Sequence, residues 1–217
     1  MAAIGNVTGI NRLRIDIDGP GVTALVGLHG CELECKYCIN AKSPPPIRYT
    51  VSMLYDVVKK DRLYFDNTGG GVCFGGHEPL MQKQFIMDFI DYVRAQGDTW
   101  KIGIETSLNF PVYPQDLINK LDYIICDVKD TNTDIYKAYT GQDNYYTMAN
   151  LKRLREQMID KAFDDNKIEL KLRLPLIYGY NTLADINKSK EILRDIFMFE
   201  NVDIEQFEYK ITKDMER

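Results

Sequence analysis

Residues 22 to 40, VTALVGLHGCELECKYCIN, join an apolar run of strand character to a loop carrying Cys31, Cys35 and Cys38. Those three thiols are gathered within eight positions of a chain that has five cysteines in all. In α/β sheets, ligands gather at the carboxyl ends of strands and in the loops that follow. A thiol cluster directly after the first predicted strand therefore stands where such a fold places its chemistry.

Working outward, six runs read as strands: 22 to 28, GVCFGG (71 to 76), KIGIETS (101 to 107), DYIICDVK (122 to 129), IELKLRLPLI (168 to 177) and DIEQFEY (203 to 209). Between them lie stretches with apolar residues three and four apart, which predict helices over 52 to 65, 80 to 96, 114 to 121, 132 to 139, 147 to 163 and 183 to 199. Strands alternating with helices through short connections require a parallel sheet with right-handed crossovers. An open doubly wound sheet and a curved partial barrel both satisfy this pattern. The segment SPPPIRY (43 to 49) reads as a short polyproline-like lead from the cysteine loop to the first helix. With no repeat, low-complexity tract or long linker, a single domain over residues 1 to 217 is expected.

Composition narrows the function classes. At 217 residues and 45% apolar content the chain can bury one substantial core. Its 27 basic and 32 acidic residues are well mixed and give a net charge of −5, which argues against nucleic acid as a partner. No apolar run reaches the roughly 18 residues needed to cross a bilayer. The start, MAAIGNVTGINRLR, lacks a secretory pattern, so a cytoplasmic protein without a membrane partner is expected. In a reducing compartment, clustered cysteines point to metal or redox chemistry, and an odd total of five argues against complete disulfide pairing.

A structural zinc ion wants four ligands, and beyond the loop only Cys73, Cys126, His29 and His77 could supply the fourth. Cys73 and Cys126 lie inside strand runs and read as small buried apolar residues. An iron–sulfur cubane normally takes four thiolates. Held by three, it would keep one iron open to a substrate or cofactor. On the residues alone, zinc and a cubane both remain open.

Elsewhere, Gly75 and Gly76 close a strand before Glu78 and Pro79; they suit either a backbone that approaches a ligand or an ordinary strand-to-helix turn. Asp127 and Lys129 alternate with apolar residues, so both would leave one face of the fourth predicted strand. A buried pair of that kind is costly to desolvate, whereas a solvent-facing pair is cheap. Arg173, between Leu172 and Leu174, suits a carboxylate. The tyrosines of YKAYTGQDNYY (136 to 146) read as helix packing or as a surface for a partner.

The spacing Cys-x3-Cys-x2-Cys, with Tyr37 just before the last cysteine, resembles the signature of radical S-adenosylmethionine enzymes. Further motifs follow in that family's order. DGPG (18 to 21), CFGGHEPL (73 to 80), IETSLNF (104 to 110), CDVKD (126 to 130) and RLPLIYGYN (173 to 181) are similar to segments of the activating enzymes of glycyl-radical enzymes, the pyruvate formate-lyase activases among them. The resemblance implies a partial (β/α)6 barrel, TIM-like, which decides between the two arrangements. It implies a 4Fe-4S cluster on Cys31, Cys35 and Cys38, with the open iron chelated by S-adenosylmethionine. Reductive cleavage of that cofactor would yield a 5′-deoxyadenosyl radical that abstracts hydrogen from a protein or peptide substrate. Lys129 would share in catalysis, and Tyr37, Gly75, Gly76, Glu78, Lys129 and Arg173 would position the cofactor. Glu105, Thr106 and Asp127 would complete the cofactor site and supply ligands for a monovalent cation.

Reduced flavodoxin or ferredoxin is the implied electron donor. Alternatives are a radical enzyme acting on a natural-product peptide or on a small molecule, as a deazapurine synthase does, and a non-catalytic zinc module using His29 or His77. The chain departs from the activase pattern at His77, where glycine is usual, at Glu105, where aspartate is usual, and at Lys210, where a histidine follows an aromatic residue. With no further clustered cysteines, no second cluster domain is expected.

Overall fold

The computed structural model describes residues 3–160, 167–197 and 203–209. Its strands are β1 (Gly5–Ile15), β2 (Val22–Leu28), β3 (Ile47–Tyr49), β4 (Gly71–Gly76), β5 (Lys101–Thr106), β6 (Tyr123–Asp127), β7 (Glu169–Ile177) and β8 (Asp203–Tyr209). The helices are α1 (Val51–Val58), α2 (Arg62–Thr68), α3 (Lys83–Ala95), α4 (Gln115–Ile118), α5 (Thr133–Thr140), α6 (Tyr145–Asp160) and α7 (Leu183–Phe197). The sheet order is β3-β1-β2-β4-β5-β6-β7-β8, with β2–β4, β4–β5 and β7–β8 in parallel. The predicted α/β class holds.

Two strands were not expected, and they make the sheet mixed rather than wholly parallel. β1 runs antiparallel to both β2 and β3. Its period-2 signal is broken by register shifts between Val7 and Gly9 and between Asn11 and Arg14, and Leu13 adopts a positive φ of 58°. A bulged strand cannot keep a strict alternation. β3 is only three residues long and occupies the end of the segment read as polyproline-like.

The helix predicted over 52 to 65 is interrupted by a 3-10 turn at Lys59–Asp61. Asp61 is fully buried there, and its carboxylate accepts hydrogen bonds from Arg12 Nε at 2.6 Å and Nη2 at 2.5 Å. The predicted helix ends at 161–163 and 198–199, and Lys210, lie outside the described residues.

The chain groups into two compact units. The first comprises Met1–Cys31, Ser43–Thr106 and Pro114–Ile125. Its strands read as nearly continuous apolar runs because both faces are covered: Val26, Leu28, Val72, Phe74, Ile102 and Ile104 are all buried. Phe74 meets the rings of Phe85 and Phe89 on α3 at 6.4 and 5.3 Å. The second unit comprises Glu32–Lys42, Ser107–Tyr113 and Cys126–Arg217. Leu172 and Leu174 of β7, Leu151 and Leu154 of α6, and Ile186 and Leu193 of α7 are buried there. Among the described residues, no helix is long and apolar enough to cross a membrane.

One small residue in the first unit is dictated by its neighbour. Tyr123 on β6 is buried and donates to the Asp18 carbonyl at 2.9 Å, so its ring cannot swing away. A Cβ at Gly103 would stand 2.3 Å from that ring. Gly103→Ala is therefore expected to lose about 1–3 kcal/mol through overpacking, measured as a lower urea midpoint. An unchanged midpoint would show that the ring yields.

Candidate functional site

In the first unit, the stretch GGHEPL after β4 folds as its residue types require. Gly76 takes φ 87°, and a Cβ there would come within 2.8 Å of the Gly27 Cα. Glycine at this point is thus set by backbone conformation and close strand packing. Glu78 then caps the 3-10 turn Pro79–Gln82, accepting from Leu80 N–H at 3.2 Å, with proline in the first turn where a missing N–H costs nothing. Only 4% exposed, Glu78 also accepts from the Thr106 hydroxyl at 2.6 Å. Thr106 is itself buried at the end of β5, beside half-buried Glu105. A Cβ on Gly75 would meet Glu105 Oε2 at 3.0 Å, so glycine leaves room for that carboxylate.

The turn is tied back to the end of β2. His77 N–H donates to the Leu28 carbonyl and Glu78 N–H to the Gly30 carbonyl, at 3.3 and 2.9 Å. His77 Nδ1 lies 3.0 Å from the same Leu28 oxygen, and the ring stands edge-on to His29 at 5.6 Å. It is a half-buried neighbour of the cap. Cys31, exposed, ends this unit.

In the second unit, half-buried Cys35 and Cys38 flank Tyr37, which is buried. The loop has little structure of its own, and it borrows the end of α5. Helix termini leave their last carbonyls unpaired. Here the Tyr139 carbonyl accepts from Lys36 N–H and the Thr140 carbonyl from Glu34 N–H, both at 2.8 Å. Gln142 Nε2 adds a bond to the Glu32 carbonyl at 2.8 Å, and the Tyr37 and Tyr139 rings meet edge-on at 5.3 Å. Cys38 N–H closes a turn on the Cys35 carbonyl at 3.1 Å. Burial pushes the Cys35 thiol pKa up, with Lys129 pulling the other way.

β6 ends at Asp127, so Lys129 is not brought to it by strand alternation. Lys129 instead turns back through a left-handed backbone, φ 69°, and its Nζ lies 3.1 Å from Asp127 Oδ2 and 5.5 Å from the centre of the Tyr37 ring. With side chains 12% and 29% exposed, this pair is neither fully buried nor freely solvated. A cation over a ring and beside a carboxylate is stabilised by both. Arg173 on β7 is engaged by protein: its Nε lies 3.2 Å from Oε2 of Glu205, its register partner on β8.

The sequence reading missed Tyr139, Thr140 and Gln142 as supports of the cysteine loop. Their signal is Gly141, which takes φ 81° and stops α5 where its carbonyls become available. Cys73 and Cys126 are buried, as expected of apolar packers.

Among the described residues, no group of three or more His, Cys, Asp or Glu side chains stands in metal-holding geometry. The donor chemistry is nevertheless that of an iron–sulfur ligand set: Cys31, Cys35 and Cys38 stand outside any disulfide on one short stretch of sequence.

Compared with protein families, residues 25–182 match the model of the Radical SAM superfamily. The chain belongs to that superfamily. It is similar to the pyruvate formate-lyase-activating enzyme of Clostridium pasteurianum, 30% identical over 146 residues, covering 64% of this chain and 58% of that enzyme. The enzyme of the same name from Staphylococcus aureus (strain USA300) is 28% identical over 178 residues, covering 78% and 67%. The match thus spans little more than half of the first relative's length. Among solved structures, Streptococcus suis SuiB bound to precursor peptide SuiA gives a TM-score of 0.59 at 13% identity, covering 83% of this chain and 37% of that one. SuiB bound to S-adenosylmethionine gives 0.59 at 13%, covering 87% and 39%. At such identity the likeness speaks for the fold, and it is the fold the motifs imply, that of radical SAM enzymes.

Membership makes this chain a radical SAM enzyme and sets the zinc module aside. It also implies S-adenosylmethionine and an iron–sulfur cluster as cofactors.

Two substitutions test the supports around the radical SAM motifs. Thr106→Val keeps volume but removes a donor from buried Glu78, and should lose about 1–3 kcal/mol of stability by chemical denaturation. Gly141→Ala has room, since its Cβ would make an ordinary 3.6 Å contact with Glu34, so only the left-handed φ opposes it. A loss of about 1–2 kcal/mol is expected, with faster amide exchange at Glu34 and Lys36. Unchanged exchange at those two amides would show that the helix end does not hold the loop.

Proposed function

We propose that this chain is an activating enzyme that abstracts a hydrogen atom from the backbone of a protein or peptide, as an activase of a glycyl-radical enzyme does. The observation that carries the reading is the similarity to activating enzymes over 64% and 78% of the chain. Cys31, Cys35 and Cys38 would hold the 4Fe-4S cluster. When bound, it would supply the electron that cleaves S-adenosylmethionine to a 5′-deoxyadenosyl radical.

The chain's own residues bind, orient and shield. The half-buried Cys35 and Cys38 keep part of the ligand loop from water, and Tyr37 closes its inner side. In the first unit, Gly75, Gly76 and Glu78 would present backbone and cap to the cofactor, with Glu105 and Thr106 behind them. In the second, Lys129 is held by Asp127 and Tyr37, which fixes its charge for an anionic group of the cofactor. Arg173 would act there too, its guanidinium already oriented by Glu205. Glu105, Thr106 and Asp127 are the candidate ligands of a monovalent cation. Reduced flavodoxin or ferredoxin is the proposed electron donor.

Anaerobic reconstitution with iron and sulfide, followed by dithionite and S-adenosylmethionine, should give a 4Fe-4S signal in electron paramagnetic resonance and 5′-deoxyadenosine. Replacing the three cysteines by alanine should abolish both. With a cognate glycyl-radical enzyme added, a carbon-centred doublet should appear on the partner. A protein that makes 5′-deoxyadenosine but leaves the radical on no glycyl-radical enzyme offered, while modifying a small peptide or a small molecule, would overturn the activase assignment.

A further inference from the structure

Asp130 lies one residue beyond Lys129, and the mechanism above gives it no part. It is fully buried. An isolated carboxylate cannot be kept charged in such a place, so its surroundings must hold it. Oδ1 accepts from Asn132 N–H at 2.9 Å and from the Ser189 hydroxyl at 3.3 Å, and Oδ2 accepts from Asn181 Nδ2 at 3.2 Å. Burial raises the pKa of this group and the three donors pull it back.

The donors are themselves anchored. Asn181 also donates to the Pro175 carbonyl at 2.9 Å and accepts from Ile177 N–H at 2.7 Å, which fixes it to β7. Ser189 sits on α7, buried, with Thr131 Oγ1 at 2.9 Å and Thr131 N–H at 3.3 Å. Asn144 Nδ2, just before α6, donates to the carbonyls of Asp130 and Thr131 at 3.2 and 2.9 Å, and its own oxygen accepts from Thr133. Two residues before Asp130, Val128 N–H is bonded to the Arg173 carbonyl at 3.0 Å. Lys129 is thus the single residue between two fixed points, and it is the one in the left-handed region.

A lysine in that conformation costs about 1–2 kcal/mol and persists only where its neighbours over-determine the backbone. Relaxing φ would swing the chain and carry Nζ away from Asp127 and Tyr37. The network around Asp130 supplies the constraint on one side, as the Val128 bond does on the other.

We propose that Asp130 is the positioning residue for Lys129: its buried carboxylate, held by Asn132, Asn181 and Ser189, locks the strained turn that aims the lysine. The inference rests on the reading of Lys129 as a contact of S-adenosylmethionine.

The test is a double-mutant cycle on the reconstituted holoenzyme, reading S-adenosylmethionine affinity by equilibrium dialysis, with iron and sulfide content as control. In Asp130→Asn the new amide N–H₂ must face either the Asn181 amide or the Asn132 and Ser189 donors, so the turn relaxes. Affinity should fall roughly 10- to 100-fold, the range for groups that orient a ligand-contacting side chain, at unchanged cluster content. In a Lys129→Ala background the same substitution should change affinity by less than about 2-fold, since coupled residues are not additive. Amide exchange at residues 129 to 132 should accelerate in the single variant.

Equal losses in both backgrounds would reduce Asp130 to a fold-stabilising residue and overturn the proposal. Wild-type affinity in Asp130→Asn beside a weakened Lys129→Ala would sink the proposal alone. Wild-type affinity in Lys129→Ala would instead sink the reading of Lys129, and the proposal with it. Should Asp130→Asn fail to fold, Ser189→Ala removes one of the three donors to the carboxylate, together with the Ser189 contacts to Thr131, and is judged by the same comparison, with a smaller loss expected.

Discussion

The segment that carries the three thiols is neither helix nor strand, and its amides must still find acceptors. In this chain they find them at the last turn of α5. The carbonyls of Tyr139 and Thr140 have no partner within their own helix, and Glu34 and Lys36 have no strand to pair with; each solves the other's problem at 2.8 Å. A backbone hydrogen bond nets only about 0.5–1.5 kcal/mol, and on the helix side the alternative is to leave carbonyls of the buried residues Tyr139 and Thr140 without these partners. The arrangement thereby fixes the frame around Cys35 and Cys38 without using any side chain of the loop. It also explains why Tyr37, between them, can be buried against Tyr139 rather than turned to water.

The same economy recurs where strands end. After β4, Gly76 turns the chain, and Glu78 is buried with Leu80 N–H and the Thr106 hydroxyl as donors. After β6, Lys129 turns the chain, and Asp130 is buried with three donors of its own. In each case one residue with positive φ is followed shortly by a carboxylate that the fold satisfies internally. The difference lies in who bears the strain. Glycine carries it at no steric cost after β4, whereas after β6 it falls on a side chain with four carbons and a charge. A fold has little reason to put lysine there for stability, since glycine would serve better.

How far the sequence could be read follows from these local rules. The six expected strands are observed because each is a continuous or alternating apolar run, and in β4 to β6 burial on both faces writes that signal directly into composition. β1 was invisible for the opposite reason. Its bulges destroy the alternation, and its polar residues find partners that only the fold brings near, such as Asp61 for Arg12. The cysteine loop was legible from spacing alone. Its support was not, because hydrogen bonds between carbonyls of residues 139 and 140 and amides a hundred positions earlier leave no trace in residue type. Asp127 and Lys129 were read as neighbours on a strand face; they are neighbours, but through a turn that only the backbone angles reveal.

Arg173 adds the remaining step. In an alternating strand its side could not be settled from sequence, and the structure gives it a protein carboxylate, Glu205, as partner. Lys171 competes for the same oxygen at 3.9 Å. A guanidinium presents five donors in a fixed, planar fork, so a carboxylate engaged through Nε orients the whole group. Lys129 is treated in the same manner, steadied by a carboxylate and a ring. Both cations are therefore pre-aimed by neighbours of their own unit, so the conformational entropy of two long side chains is lost on folding rather than on binding.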